Sequence, residues 1–128
     1  MRRLLFIVAG IAVATAMAGC ITPSIPIPPP DPASMEFVVT GDGITSSATF
    51  QYPPNVNYRD SIVFVYNRDR GLGIIEASRP DGSVGPTQPV KAALGEQIVV
   101  TFQLEDQATS TCIRLRNGQQ SSSDRCLP

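Results

Sequence analysis

The sequence predicts a small all-β domain built as an antiparallel sandwich of six to seven strands. Short runs of alternating apolar and polar residues recur about every ten residues, each bounded by Gly, Pro, Asn or Asp. No window of about 11 residues repeats apolar side chains at the period of an amphipathic helix. We place this domain over residues 35–128, and a small open barrel is the alternative architecture.

The strands are expected at six places along this domain. Alternation is clearest over the ranges 46–52, 62–66, 97–104 and 111–116, and weaker strands are expected over 35–40 and 72–78. In the first clear strand, Ala48, Phe50 and Tyr52 share a face, and Pro53 ends it because proline has no N–H for the ladder. The range 62–66 is apolar on both faces, so we expect a central strand covered on both sides or beside the core.

Turn-forming residues separate these runs. They cluster at Gly41-Asp42-Gly43, in the range 67–71, at Pro80-Asp81-Gly82, in the range 94–96 and at Asn117-Gly118. Six or seven short strands at this spacing are typical of an immunoglobulin-like sandwich. The absence of tryptophan argues against the antibody type, whose inter-sheet disulfide packs on a tryptophan.

The first 20 residues have the layout of an export signal. Arg2 and Arg3 form a positive segment, the range 4–18 is uncharged and apolar, and Ala18-Gly19 supplies small residues before Cys20. The apolar run is shorter than the roughly 20 residues that a spanning helix needs, and prolines follow it. We therefore expect a cleaved signal peptide over residues 1–19.

Met17-Ala18-Gly19-Cys20 resembles the lipobox of bacterial lipoproteins. The resemblance implies a diacylglycerol on Cys20, cleavage before it and anchoring of the mature chain in a membrane of the cell envelope. Ile21 after the cysteine resembles lipoproteins that are sorted to the outer membrane, on its periplasmic or surface face, if the cell has one. Two or three long acyl chains hold a protein stably, whereas one short chain does not.

A proline-rich segment joins the anchor to the domain. Residues 21–34 contain six prolines, which fix φ and remove the backbone donor, so we expect an extended linker that does not pack. At ~3.1 Å per residue this linker spans about 40 Å and holds the domain away from the membrane. A ligand for a proline-binding module is the less favoured alternative.

The domain also resembles the immunoglobulin-like modules of bacterial surface lipoproteins. The resemblance consists of a spaced pattern of residues of the type N…G…A…DGS…V.A..GD.I.V, which falls over the ranges 62–67, 75–78, 81–84, 90–92 and 95–100. It implies a spacer, adhesion unit or scaffold part, and no catalytic residue carries over.

Cys112 and Cys126 are the remaining cysteines, and in an oxidising compartment they are expected to form a disulfide. If the strand at 111–116 pairs with a last strand, Cys112 opposite Cys126 places Arg114 opposite Asp124, with a loop over 117–121. A two-residue turn at Asn117-Gly118 gives a register that does not join the cysteines without a bulge.

The charge and the residue types narrow the class of function. Removal of Arg2 and Arg3 from the 10 basic residues leaves 8 against 11 acidic ones, a net charge of −3. This charge argues against nucleic acid as a partner. The chain has no histidine, so Ser-His-acid and Cys-His sites and the usual zinc sites are not available. We expect neither an enzyme nor a cofactor.

Two groups of charged residues are candidate binding sites. Asp42, Asp81 and Asp106 are weak candidates for calcium, because Asp-Gly is also ordinary turn chemistry. The charged loop Arg68-Asp69-Arg70 is either a solvated hairpin or a contact surface for a partner.

Aromatic side chains give a further alternative. Tyr52 and Tyr58 either form a sugar-binding platform or cap the core. The sequence thus favours a non-enzymatic structural or protein-interaction module with an envelope or surface protein as partner. A glycan- or calcium-binding module is the alternative.

Overall fold

The computed structural model describes residues 25–127, and in them the chain is all-β. Eight strands run in the order β1 Glu36–Thr40, β2 Ser47–Gln51, β3 Ile62–Asn67, β4 Leu72–Ala77, β5 Val90–Lys91, β6 Gln97–Leu104, β7 Gln107–Arg114 and β8 Gly118–Gln119. Short 3₁₀ helices lie at Pro32–Ser34, Gly43–Thr45, Val56–Tyr58 and Ser122–Asp124. The predicted sandwich is confirmed, and it has eight strands rather than six to seven.

The strands form two four-stranded antiparallel sheets. The first has the order β5-β2-β1-β8 and the second the order β4-β3-β6-β7. The second sheet and the neighbours β1, β2 and β5 follow the order of an immunoglobulin-like sandwich, in which β3 and β6 lie at the centre of one layer. β8 is an additional edge strand beside β1. The central position expected for the strand at 62–66 is therefore confirmed.

The core lies between the two sheets. Its members are the alternate side chains that face inward, among them Phe37, Phe50, Val63, Val65 and Phe102, all fully buried. Ile98 and Val100 also point inward, as the alternation of the range 97–104 predicts. By contrast, the apolar outer face of β3 is not covered by the described chain.

The second half of the proline-rich segment packs against the domain, and we call residues 27–34 the strap. Pro30 and Pro32 are buried, and the carbonyl oxygen of Pro30 accepts a 2.6 Å hydrogen bond from Thr111 Oγ1. The N–H of Ile27 donates to Gln107 Oε1 at 3.0 Å. The expectation that the whole linker stays clear of the domain is wrong for this half, because its free carbonyl and N–H groups find partners on β7.

The chain after β7 is held by the predicted disulfide. Cys112 and Cys126 are joined, with Cα atoms 5.4 Å apart, and Ile113 lies opposite Arg125 in the expected register. The last strand is missing, however, because residues 122–124 form a 3₁₀ helix.

One predicted ion pair differs from the structure in this region. Asp124 pairs with Arg116 at 2.8 Å rather than with Arg114. The 3₁₀ turn carries the Asp124 carboxylate away from the position directly opposite Arg114, and the same carboxylate accepts the N–H of Ser121. The loop expected over 117–121 contains β8, whose Gly118 lies opposite Phe37 of β1.

Candidate functional site

The residue on which the anchoring prediction depends lies outside the described residues. Lipidation of Cys20 and cleavage before it therefore stay predictions, as does the signal peptide. Within residues 25–127, no helix has the length and apolar content required to cross a membrane.

The three candidate calcium ligands are not brought together. Asp42 lies in the β1–β2 loop, at one end of the sandwich, whereas Asp81 and Asp106 lie in loops at the other end. Asp81 Oδ1 accepts hydrogen bonds from the hydroxyl and the N–H of Ser83, which lower the pKa of this carboxyl. In the described part of the chain, no three His, Cys, Asp or Glu side chains are grouped so that they hold a metal ion.

The two tyrosines cap the core instead of forming an open platform. Tyr52 is 4% exposed and Tyr58 is 1% exposed, and the Tyr58 ring stacks on Phe102 at a centroid distance of 4.0 Å. The Tyr58 hydroxyl donates to the Pro28 carbonyl oxygen at 2.7 Å, and the Tyr52 hydroxyl accepts the N–H of Asp31. Burial, with the neighbouring Tyr52, raises the pKa of Tyr58. Rings covered by the strap do not stack on a sugar.

The end of the sandwich away from Asp81 and Asp106 is the strongest candidate for a contact surface. We call it the tip, and it consists of the loops 41–46, 67–71 and 93–96. Arg70 joins all three loops. Its guanidinium forms an ion pair with Glu96 at 2.8 Å and donates to the carbonyl oxygens of Gly43 and Ile44.

The carboxylates of the tip are used inside it. Asp69 Oδ2 accepts the N–H of Gln97 at 2.7 Å, and Glu96 Oε1 accepts the N–H of Ala93. Burial acts to raise the pKa of Glu96, but the hydrogen bonds from Arg70 and Ala93 and the charge of Arg70 outweigh it and lower the pKa. The predicted loop is thus a braced hairpin in which Arg68 is the one exposed arginine, with a guanidinium nitrogen 3.8 Å from Cys112 Sγ.

Sequence reasoning missed the apolar part of the tip. Ile44 is 87% exposed and Leu94 is 62% exposed. Leu94 lines a depression of about 330 Å³ together with Val39, Asp42 and Asn117, and Ile44 follows Gly43, which also lines it. The available signal was a single large apolar residue inside each glycine-containing turn, where no strand face accounts for it.

A scan against known protein families, a search of curated proteins and a search of solved structures each found no match to the chain. The tip is therefore interpreted from its own residues alone.

Proposed function

We propose that the chain is a non-enzymatic interaction module of the cell envelope, held on a membrane by acyl chains on Cys20. In this proposal the tip contacts an envelope or surface protein. The observation that carries it is the strap, which fixes the place where the chain leaves the domain toward Cys20.

The strap leaves the domain at the end opposite the tip. Ile27 is bonded to Gln107, which follows the turn after β6, whereas β6 begins at Gln97 beside the tip. A strand of eight residues rises by roughly 25 Å, so the exit of the strap and the tip lie on opposite ends of the sandwich. An anchor at Cys20 then directs the tip away from the membrane.

The chemistry of the tip suits a protein partner. Exposed Ile44 and Leu94 supply apolar area, and exposed Arg68 supplies the charged side chain most enriched at interfaces. The Arg70 network holds the three loops in one arrangement, so little conformational entropy is lost when a partner binds.

The compartment is proposed from two features of the chain. The signal layout of residues 1–20 directs export, and the Cys112–Cys126 disulfide is the form expected in an oxidising compartment. In a cell with two membranes we propose the outer membrane, on its periplasmic or surface face.

The anchoring half of the proposal is tested in intact cells with a fatty-acid probe. The full chain is expected to take up the label and to fractionate with membranes, whereas Cys20→Ala takes up none and leaves the membrane fraction. Equal fractionation of the two forms, with no label on either, contradicts the anchor.

The contact half is tested by placing a photo-crosslinking residue at Ile44. A control with the same residue at Val38, which is 44% exposed on the outer face of the first sheet, measures background. We expect one envelope protein to be captured from position 44 and not from position 38. Identical capture patterns from both positions contradict a role for the tip.

A further inference from the structure

The two long sides of the sandwich differ in how they are closed. The side that carries β7 and β8 is covered by the strap and by the disulfide-linked segment that follows β8. On the other side lie the edge strands β4 and β5, and within residues 25–127 each pairs with a single neighbour. We call this the open side.

The pairing of β4 with β3 determines which backbone N–H and C=O groups of β4 point outward, away from the sheet. Ser78 N–H donates to the Ser61 carbonyl oxygen, and antiparallel pairing alternates from there along β3 and β4. Glu76, Ile74 and Leu72 therefore direct their N–H and C=O toward β3. The intervening residues direct theirs outward, and all three are exposed: Gly73, Ile75 and Ala77.

Natural edge strands carry features that prevent pairing with another chain. Examples are proline, lysine, a β-bulge or an inward-pointing charged side chain that has no partner within its own chain. β4 has the sequence Leu-Gly-Ile-Ile-Glu-Ala and pairs with β3 without a bulge. Its one charged residue, Glu76, is half-buried, and its carboxylate accepts the N–H of Gln88. Ile75 is 70% exposed in the middle of this edge.

We propose that β4 pairs with β4 of a second copy, antiparallel and about a two-fold axis at Ile75. The outward groups are self-complementary in this register, because Gly73 lies opposite the partner's Ala77 and Ile75 lies opposite the partner's Ile75. Each of these pairs exchanges two backbone hydrogen bonds. The two second sheets then form one continuous sheet, and the interface is the same patch on both copies.

Charge complementarity selects a second copy as the occupant. In this register Glu76 faces the partner's Ile74, on the inner side of the strand. A groove beside Ile74 is lined by Leu72, Pro89 and Lys91, the single lysine of the chain. Glu76 of each copy therefore meets Lys91 of the other, and the contact occurs twice by symmetry.

The outer face adds apolar contact in the same place. Ile75 of β4 lies opposite Phe64 of β3, and Tyr66 of β3 lies opposite Val99 of β6. These side chains form an apolar strip on the outer face of the second sheet that reaches the β4 edge. Pairing about Ile75 joins the strips of the two copies. This proposal depends neither on the acyl anchor nor on the tip.

Cysteine crosslinking tests the register in the full chain, kept in detergent at less than one copy per micelle. Residues on the axis come within about 5.5 Å between Cα atoms, a distance that a disulfide spans, whereas residues two positions away do not meet their own copies. We expect Ile75→Cys to form at least about tenfold more covalent dimer than Ala77→Cys on mild oxidation. Ala77→Cys is the matched control because it is exposed on the same face of the same strand.

Exchange of the two charges at positions 76 and 91 tests whether the partner at the β4 edge is a second copy of the chain. The dimer dissociation constant of the full chain is measured by sedimentation. Lys91→Glu is expected to raise the dimer dissociation constant about tenfold, and combination with Glu76→Lys is expected to restore it to within about threefold. The single variant Ile44→Lys, an equally drastic change at the tip, leaves the constant unchanged.

Several results overturn the proposal. They are a wild-type chain that stays monomeric up to about millimolar concentration, equal crosslinking from positions 75 and 77, and no restoration by the charge exchange. Capture of a different protein by Ile75→Cys in cells, without the homodimer, assigns the edge to another partner and also overturns it. Retained melting temperature in each variant shows that the loss is not misfolding.

Discussion

Gly82 lies where two loops of the sandwich touch. Its φ is +85°, in the left-handed region that favours glycine, and a Cβ there overlaps the carbonyl oxygen of Asn55. Gly95 has nearly the same φ, +86°, but a Cβ there meets no atom within 4 Å. The two positions therefore separate the cost of the backbone angle from the cost of close approach.

We expect Gly82→Ala to lower the free energy of unfolding by at least about 3 kcal/mol, because the loops at 55 and 82 have to move apart. Gly95→Ala is expected to cost about 1 kcal/mol, the cost of the left-handed angle alone. Urea unfolding of both variants measures the difference. Equal losses at the two positions contradict the close approach.

Glu96 makes the stability of the tip depend on pH. Because its pKa is lowered in the folded chain, ionised Glu96 contributes stability above its ordinary pKa, and that contribution is lost as the pH falls through the lowered value. We expect Glu96→Gln to cost about 1 to 2 kcal/mol at pH 7 and much less at pH 3. Denaturant unfolding at both pH values measures it. A loss that is the same at pH 3 and pH 7 contradicts the role of the charge.

At the scale of elements, alternation predicted the long strands and missed the short ones. β6 spans Gln97–Leu104, the predicted range, because its eight residues let the period of two stand out. The strand predicted over 111–116 covers only the second half of β7, since residues 107–110 carry no large apolar side chain. β5 and β8 have two residues each and are defined by pairing with β2 and β1, which a single sequence does not display. The register of Cys112 and Cys126 was predictable because a covalent bond fixes which residues are opposite.

The strap could not be predicted from its composition. Proline content indicates an extended backbone, but the groups that hold the strap belong to Tyr52, Tyr58 and Thr111, far away along the chain. Nothing in the local sequence shows that three hydroxyls converge on one path. Burial of Pro30 and Pro32 follows from that convergence.

A change at one hydroxyl tests the docking of the strap. Tyr58→Phe removes the hydrogen bond to the Pro28 carbonyl oxygen, so we expect a loss of about 1 kcal/mol and faster hydrogen exchange at the Ile27 N–H. Tyr66→Phe is the control, because Tyr66 is 45% exposed on the outer face. Unchanged exchange in Tyr58→Phe contradicts a strap held by this bond.

At the scale of the whole molecule, the disulfide supplies a large share of the stability that a domain of this size has. Loss of both cysteines, as Cys112→Ser with Cys126→Ser, is expected to lower the free energy of unfolding by about 3 kcal/mol, from the entropy of the 15-residue loop that the bond closes. Guanidinium unfolding measures it, and the wild-type chain under reducing conditions should match the double variant. A loss below about 1 kcal/mol contradicts this estimate.

The site was less predictable than the fold. The sequence pointed to charged turns, and the structure shows that Asp69, Arg70 and Glu96 hold the tip together. A charge in a turn looks the same in a sequence whether it binds a partner or a neighbouring loop. The exposure of Ile44 and Leu94 depends on which loops meet at the end of the sandwich, and this is set by the topology.

Docking of the strap shortens the distance that the domain can move from a membrane anchor at Cys20. On the proposed anchoring at Cys20, seven residues of sequence separate the anchor from Ile27, at most about 22 Å at ~3.1 Å per residue, against about 40 Å for the whole proline-rich segment. Since the accessible volume grows as the cube of the tether length, shortening the tether from about 40 to about 22 Å concentrates the domain roughly sixfold. On the proposed anchoring, the domain stays within a thin layer above the bilayer and meets its partners there by lateral diffusion.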